Sequence, residues 1–228
     1  MSFVLSDVDI SNAESLSRYV EVPAIWNTPL FRVMFPSAEN MHETERDEVV
    51  RWYADMLRDA PKNRAETFLQ AFIDGIPVGL CAWTTIERRR EMESAGQLSK
   101  DPSRRSANTK NWLPLTLDVD GWLSLSKELK MERERILKDL DNICRLTIMS
   151  VNPDHQRRGI GSAFMQRICG EINLHGRHAF VLAAPEGVPL YAKFGFKVIG
   201  HVDSPHGMIS SMFRPSRNRT TSSTAPIR

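Results

Sequence analysis

Hydrophobic residues recur along the chain in two kinds of pattern, which together predict a mixed α/β protein. Helices are expected over 44–59 and 121–140, where apolar positions fall on one face amid charged residues. The strongest helical stripe begins near Gly159. It repeats every four residues, with two more apolar residues beside it, and consists of Ile160, Phe164, Met165, Ile168, Cys169 and Ile172. This periodicity predicts a helix with one buried face.

Shorter apolar runs predict strands. They lie at 3–5, 67–74, 78–85, 145–151, 179–184, 196–202 and 208–213. A hairpin is expected around Gly75-Ile76-Pro77, and Gly79 indicates a close approach of another element to the backbone. Strict alternation along 145–151 would place Leu146, Ile148 and Ser150 on one face of the sheet and Thr147, Met149 and Val151 on the other. The fully apolar run 179–184 is typical of a central strand.

The segment before residue 44 combines a helix signal with several prolines. Ser11 and Glu14 have the spacing of a capping box, which predicts a helix that continues to about Ile25. Pro29 and Pro36 interrupt the apolar stretch that follows, so a broken loop is expected there. Two roles remain open for its large apolar side chains: lining a pocket, or packing beneath the sheet.

Composition is that of an ordinary globular protein of 228 residues, with 41% hydrophobic and 25% charged residues and a net charge of +2. This charge does not by itself indicate nucleic acid or an anionic membrane as a partner. The basic and polar stretch 87–120 predicts a solvated excursion, with a nucleic-acid-binding arm as the alternative. The tail 214–228 is expected to be disordered.

The chain lacks the sequence signals of export and of metal binding. Its first residues resemble neither a signal nor a transit peptide, and no apolar run approaches the length of a membrane span. We therefore expect no membrane partner and a cytoplasmic location, with the nucleus also open to a chain of this size. Cys81, Cys144 and Cys169 are interpreted as buried reduced thiols, a catalytic cysteine being the alternative. The histidines show no ligand spacing, so no metal is predicted.

The most informative unit is a strand followed by a short loop, a Gly-x-Gly pair and a helix. A helix start offers unpaired N–H groups and a positive dipole end to an anion. Gly159 and Gly161 remove side chains where a phosphate would approach the backbone, and Arg157 and Arg158 add positive charge beside it. The pattern predicts a pyrophosphate site. The dinucleotide fingerprint is not met, because Phe164 stands where its third glycine would be.

Residues 143–200 resemble the core of the Gcn5-related N-acetyltransferase (GNAT) family. The family motif Q/R-x-x-G-x-G/A is met by Gln156-Arg157-Arg158-Gly159-Ile160-Gly161, and a Y-x-K-x-G-F signature is met by Tyr191-Ala-Lys-Phe-Gly195-Phe196. The resemblance implies an α/β fold with a mixed, V-split central sheet flanked by helices. It also implies acetyl-CoA as cosubstrate and an acetyl-CoA-dependent N-acetyltransferase that works by direct attack of an amine.

The resemblance also implies roles for particular residues. The cofactor-binding residues would be Met149, Ser150, Val151, Gln156, Arg157, Arg158, Gly159, Ile160, Gly161 and Ser162. A bulge in the fourth strand would free backbone groups for the pantetheine arm, and an N–H near Val151 would polarise the thioester carbonyl. Tyr191 would protonate the leaving thiolate, its alternative role being simple packing. Ala184 departs from the Asn or Ser that many members carry.

The resemblance does not identify the general base or the acceptor. Asp141, Glu87, His155 and His201 are candidates for the base, and water-mediated deprotonation is the alternative. We predict one domain over 1–213 with an insertion at about 87–140, whose helix packs on the acceptor side. A primary amine of a small molecule is the expected acceptor. The alternatives are a protein or peptide N-acetyltransferase and a non-catalytic acyl-CoA-binding domain. The family often dimerises, so a homodimer is compatible with the sequence.

Overall fold

The computed structural model describes residues 2–59, 66–86 and 112–216, which form one seven-stranded sheet flanked by helices. The strands are β1 (Val4–Asp7), β2 (Glu66–Ile73), β3 (Ile76–Ile86), β4 (Ile143–Val151), β5 (His178–Ala183), β6 (Lys197–Ser204) and β7 (Gly207–Arg214). The α-helices are α1 (Ala13–Leu16), α2 (Val22–Ile25), α3 (Pro29–Met34), α4 (Glu43–Asp59), α5 (Val119–Leu137), α6 (Ile160–Leu174) and α7 (Val188–Lys193). A π-helical turn, Ser17–Glu21, joins α1 to α2.

The sheet is mixed and opens like a V between its central strands. The strand order is β1-β2-β3-β4-β5-β7-β6, and only β4 and β5 are parallel. Their pairing joins Ile143–Arg145 to His178–Phe180 and stops there. Beyond Arg145 the two strands diverge, so the β5-facing edge of β4 has no ladder partner in the part of the chain that the structure describes. The predicted V-split sheet is confirmed, and the divergence leaves polar backbone groups available to a ligand.

The helix α6 packs on one face of the sheet through the predicted stripe. All six of its stripe residues are buried in the largest apolar cluster, together with Cys144 and Leu146 of β4. A methyl group added at Gly79 of β3 would lie 2.9 Å from Ile160 Cγ2 and 2.9 Å from Phe164 Cε2. The predicted close approach at Gly79 is therefore confirmed, and α6 can seat this deeply only against a bare backbone.

Gly79→Ala is expected to destabilise the fold by about 1–3 kcal/mol, because both neighbouring side chains are buried and must move. Gly170→Ala is the matched control: it lies within α6, and a methyl group there meets nothing within 4 Å. The control should stabilise by about 0.5–1 kcal/mol. Chemical denaturation of the two variants would measure both changes, and equal stability of the two would contradict the packing described.

The helical segment near the N-terminus differs from its sequence prediction at its start and in its middle. The capping box is wrong: Asn12 is the N-cap of α1 and makes no side-chain cap bond, while Asp9 caps a preceding 3-10 turn by accepting from the Ser11 N–H. The segment reaches Ile25 as predicted, but it does so through the π-helical turn.

The segment after Ile25 is also more ordered than predicted. Thr28 accepts from the Phe31 N–H and Pro29 occupies the first turn, so α3 begins where a loop was expected. Phe31 and Met34 are buried in a second cluster against α4 and α5. The two open roles both apply, because Leu30 and Val33 pack against Val202 and Ile209 of the sheet while Phe31 lines the main cavity.

Two details of the predicted strands are corrected. The hairpin turn is Asp74-Gly75, both with positive φ (51° and 79°), while Ile76 and Pro77 belong to β3. In β4, Thr147 is an extra residue: Ala82 pairs with Ile148 and Trp83 with Leu146. This bulge resets the alternation of faces.

The bulge overturns the predicted division of β4 into faces. Leu146, Met149 and Val151 all contact the α6-side cluster, whereas Ile148 packs on the other face of the sheet. A bulge in this strand is what the family resemblance implied.

The helix of the predicted insertion, α5, packs across β6 and β7. Leu125 is buried with Val202 and Ile209, and the Ser211 hydroxyl donates to Glu132 at 2.9 Å. Most of the basic stretch, and Glu87, lie outside the described residues, as do 217–228 of the predicted tail; Arg214 ends β7. The single-domain assignment stays a prediction.

Candidate active site

A cavity of about 880 Å³ runs through the opening of the V. On the α6 side it is lined by the loop after β4 and by the first turn of α6. On the opposite side it is lined by α2, α3, α4 and α5, with β4, β5 and β7 as its floor. One continuous space therefore joins the predicted pyrophosphate site to the far face of the sheet.

The start of α6 has the conformation expected of an anion site. Gly159 is the N-cap and adopts φ 90°, and Arg157 is also left-handed with φ 62°. A methyl group at Gly161 would lie 3.1 Å from Leu190 Cδ2, so the glycine keeps this part of the wall open. Of the predicted cofactor-binding residues in this loop, all line the cavity except Arg158. Arg158 is exposed beside it.

The predicted segment of β4 forms the adjoining wall. Met149, Ser150 and Val151 all line the cavity. Val151 remains paired to Gly79 of β3, and Gln156 Nε2 donates to the Val151 carbonyl at 3.2 Å. The strand is therefore tied on its β3 side and to the following loop, while its other edge faces the space between β4 and β5.

Tyr191 lies on α7 across the cavity from β4. Its side chain is buried, and its ring packs 5.9 Å from that of Phe196. Burial raises the pKa of Tyr191, and the neighbouring Cys81 acts in the same direction. The phenol therefore stays protonated at neutral pH and is available as a proton donor. Gly195 follows the helix with φ 84°, a conformation that glycine adopts readily after a helix end.

Glu21 is the residue of the cavity wall that the sequence analysis did not identify. It is 8% exposed, and burial raises its pKa to about 7 despite an opposing hydrogen bond from Ser150. Its second carboxylate oxygen is buried and has no hydrogen-bond partner among the described residues. A carboxyl group with a pKa near neutrality and an unoccupied acceptor atom is equipped to take a proton from a ligand.

The π-helical turn positions Glu21, and its geometry follows from the sequence. Pro23 has no N–H to donate back into the preceding turn, which leaves the Tyr19 carbonyl without its helical donor. Asn152 at the end of β4 donates its side-chain amide to that carbonyl at 2.6 Å. The Ser17 hydroxyl donates to the Val50 carbonyl at 2.7 Å. The turn that carries Glu21 is thus fixed both to the cofactor loop and to α4.

The predicted candidates for the general base are dispersed. His155 lines the cavity on the cofactor side, whereas Asp141 and His201 are exposed and do not line it. The cysteines are buried and free. Burial raises the pKa of Cys81 and Cys144, which is the opposite of what an activated thiolate requires.

Among the described residues, no cluster of three or more His, Cys, Asp or Glu side chains could hold a metal ion. No helix in the described ranges combines the length and the apolar character needed to cross a membrane.

Comparison with known proteins agrees with this geometry. Residues 127–198 match the family model described as Acetyltransferase (GNAT) domain. This match spans α6, α7 and β4, which carry the Gly-x-Gly pair and Tyr191. A search of curated proteins gave no match.

Solved structures with this fold are GNAT acetyltransferases. PaiA N-acetyltransferase from Thermoplasma acidophilum, in complex with coenzyme A, is 14% identical with a TM-score of 0.52, covering 94% of this chain and 99% of that one. Polyamine N-acetyltransferase from Drosophila melanogaster, which forms N-acetylagmatine, is 14% identical with a TM-score of 0.58 (94% and 100% covered). Mosquito arylalkylamine N-acetyltransferase-like 5b is 13% identical with a TM-score of 0.57 (94% and 100% covered).

Residues 127–198 thus match a GNAT acetyltransferase domain, and the described part of the chain has the fold of acetyltransferases. The resemblance first stated from the two sequence motifs is confirmed.

Proposed function

We propose that this protein transfers the acetyl group of acetyl-CoA to a primary amine of a small molecule. The observation that carries the proposal is the placement of Glu21 and Tyr191 on the wall of one cavity that also begins at the Gly-x-Gly helix start. A relative with this fold was crystallised with coenzyme A, and others are named for small amines. The family match supports the same reaction class.

The cofactor would lie along the freed edge of β4. Its pyrophosphate would accept hydrogen bonds from backbone N–H groups of the loop and the first turn of α6, over Arg157 to Ser162. Arg157 would add positive charge beside it. The pantetheine amides would pair with the β4 backbone beyond Arg145, where β5 no longer does. The thioester would then lie within the V, between Tyr191 and the face that carries Glu21.

Glu21 would act as the general base. An alkyl amine is largely protonated at neutral pH and must lose a proton before it can attack. A carboxylate with a pKa of about 7 accepts that proton far more readily than an ordinary surface Glu. The Ser150 hydroxyl orients the carboxylate from β4, so base and cofactor strand are in direct contact.

The reaction balances with these two groups. The ammonium proton first passes through Glu21 to solvent. The neutral amine nitrogen then attacks the thioester carbonyl carbon, and the proton that it loses on forming the amide passes to Glu21. The C–S bond then breaks, and Tyr191 donates its proton to the departing thiolate of CoA. The products are an N-acetyl amide and CoA, and most of the acceleration would come from holding both reactants in line.

A small molecule is favoured as acceptor because four helices, α2, α3, α4 and α5, line the acceptor side of the cavity. Apolar side chains form much of this lining, among them Ile25, Leu30, Phe31, Leu129 and Ile209. An extended peptide would need an open groove. A cavity of this lining suits an amine with an apolar body.

The test of the proposal is CoA release from acetyl-CoA, followed with a thiol reagent, across a panel of alkyl, aryl-alkyl and polyamines. Amine-dependent release by the full chain is expected. Acetyl-CoA binding without release for any amine would instead favour a non-catalytic acyl-CoA-binding domain.

Tyr191→Phe is expected to lower kcat by roughly 10²-fold or more while leaving the Kd of acetyl-CoA nearly unchanged, because only the proton donor is removed. The ring and its packing on Phe196 are retained. Phe196→Leu serves as control, since it perturbs the same packing and keeps the hydroxyl. A kcat that falls equally in both variants would assign Tyr191 a packing role.

A further inference from the structure

Two arginines line the main cavity on elements other than the one that carries Glu21. Arg145 lies on β4 at the last residue paired to β5, and Arg133 lies on α5. Arg145 is 8% exposed and Arg133 is half-buried. The mechanism described above uses neither residue.

Both arginines belong to the acceptor side of the sheet. Cys144 and Leu146, the neighbours of Arg145, contact the α6-side cluster, so Arg145 points to the opposite face. Ile143, two residues earlier, packs against Leu137 of α5 on that same face. Leu129 and Arg133 are one turn apart on α5 and both line the cavity. The CoA phosphates would be met on the other side.

The acceptor compartment therefore has a sharp charge polarity. Its acidic end is Glu21, which is partly protonated near pH 7. Its basic end is formed by two guanidinium groups that remain charged at any physiological pH. Ser150, the partner of Glu21, lies five positions after Arg145 in β4, which is roughly 15 Å along a strand. Apolar groups line the space between the two ends.

We infer that the acceptor is an amine that carries a carboxylate at its far end, and that Arg133 and Arg145 bind this carboxylate. This inference rests on the proposed acetyl transfer and specifies the substrate class of that site. The amine would lie at Glu21, the apolar body between Leu30, Leu129 and Ile209, and the carboxylate at the arginines. Planar guanidinium groups match a carboxylate in geometry as well as charge. Both arginines also interact with other residues of the chain, and a bound carboxylate would share their N–H donors.

The test compares kcat/KM for three acceptors of equal chain length, over a series of lengths: an ω-amino acid, an n-alkylamine and an α,ω-diamine. We expect the ω-amino acid to exceed the alkylamine at least tenfold at the best length, with the diamine poorest. Arg133→Met should reduce the ratio of ω-amino acid to alkylamine about tenfold, mainly through KM. Lys127→Met, an exposed residue of α5 that does not line the cavity, should leave the ratio unchanged.

Additional variants and a second acyl donor distinguish the possible outcomes of this test. Arg133→Glu should shift preference toward the diamine, and Arg145→Met should repeat the loss of preference, with thermal unfolding as a check on its buried position. Equal use of all three acceptors by the wild type, or an Arg133→Met variant that keeps the preference, would overturn the inference. So would a preference for succinyl-CoA over acetyl-CoA that depends on Arg133, because the carboxylate would then arrive on the donor. No CoA release with any amine would instead be a failure of the proposed function.

Discussion

Glu21→Gln is expected to lower kcat about 10²- to 10⁴-fold, the range that a positioned general base contributes. The amide keeps the shape and can still bond to Ser150, but it cannot accept the amine proton. In the wild type, kcat/KM should rise with pH up to about 7 as the Glu21 carboxylate forms, and this limb should be missing in the variant. Steady-state rates across pH would measure both effects. Activity within a few-fold of wild type would exclude Glu21 as the base.

The same variant carries a second signature, in stability. Because the folded pKa of Glu21 (about 7) exceeds its ordinary value of 4.5, the folded state holds the proton more tightly than the unfolded state. Glu21 therefore does not lower the free energy of unfolding of the wild type below pH 4.5. It lowers it progressively between pH 4.5 and 7, and above pH 7 by the full amount of roughly 3 kcal/mol. The Tm of Glu21→Gln relative to wild type should therefore rise by several degrees between pH 5 and pH 8. Glu14→Gln, an exposed carboxylate on the same helical segment, should show no such trend.

Gly161→Glu is expected to weaken acetyl-CoA binding by at least 10²-fold. Its carboxylate would enter the first turn of α6, where the pyrophosphate needs free N–H groups, and like charges brought together in an interface cost several kcal/mol. Its Cβ would also press on Leu190, 3.1 Å away. Thermal unfolding with and without acetyl-CoA measures the loss. A ligand at about 100 times its Kd adds roughly 2.7 kcal/mol to the wild type.

Gly170→Glu is the control for this variant. It makes the same substitution in the same helix, at a position where an added Cβ meets nothing within 4 Å and which does not line the main cavity. It should retain the acetyl-CoA shift of the wild type. Equal loss in both variants would point to a damaged helix, and retention in both would remove the cofactor from the predicted site.

The elements that the sequence predicted well are those whose signal is local. The stripe of α6 repeats every four residues, and the helix is observed at Ile160–Leu174 with all stripe residues buried. The predicted start near Gly159 is also observed, since Gly159 is the N-cap of this helix. Thr28-Pro29 is an equally local signal for a helix start, an N-cap residue followed by a proline in the first turn. Treating the proline as a helix breaker predicts a loop instead.

The features that the sequence did not predict depend on tertiary contacts. The amino-acid sequence of β4 does not reveal the bulge, because Thr147 is an ordinary strand residue. Only the register of β4 against β3 shows that Thr147 is extra. The acidity of Glu21 depends on burial among helices that are distant along the chain. One signal is present nonetheless: a lone Glu between Val20 and Val22, within an apolar run that extends to Trp26.

The bulge at Thr147 has a consequence at the level of the gene. Without that residue, Arg145, Ile148 and Ser150 would still fall on one face of β4, and Leu146, Met149 and Val151 on the other, as an uninterrupted strand requires. A single in-frame codon deletion would therefore preserve the core pattern while regularising the ladder with β3. Such a deletion would remove the bulge, and with it catalytic competence, while leaving the chain able to fold. Among related chains, a one-residue gap in this strand would mark where the two properties separated.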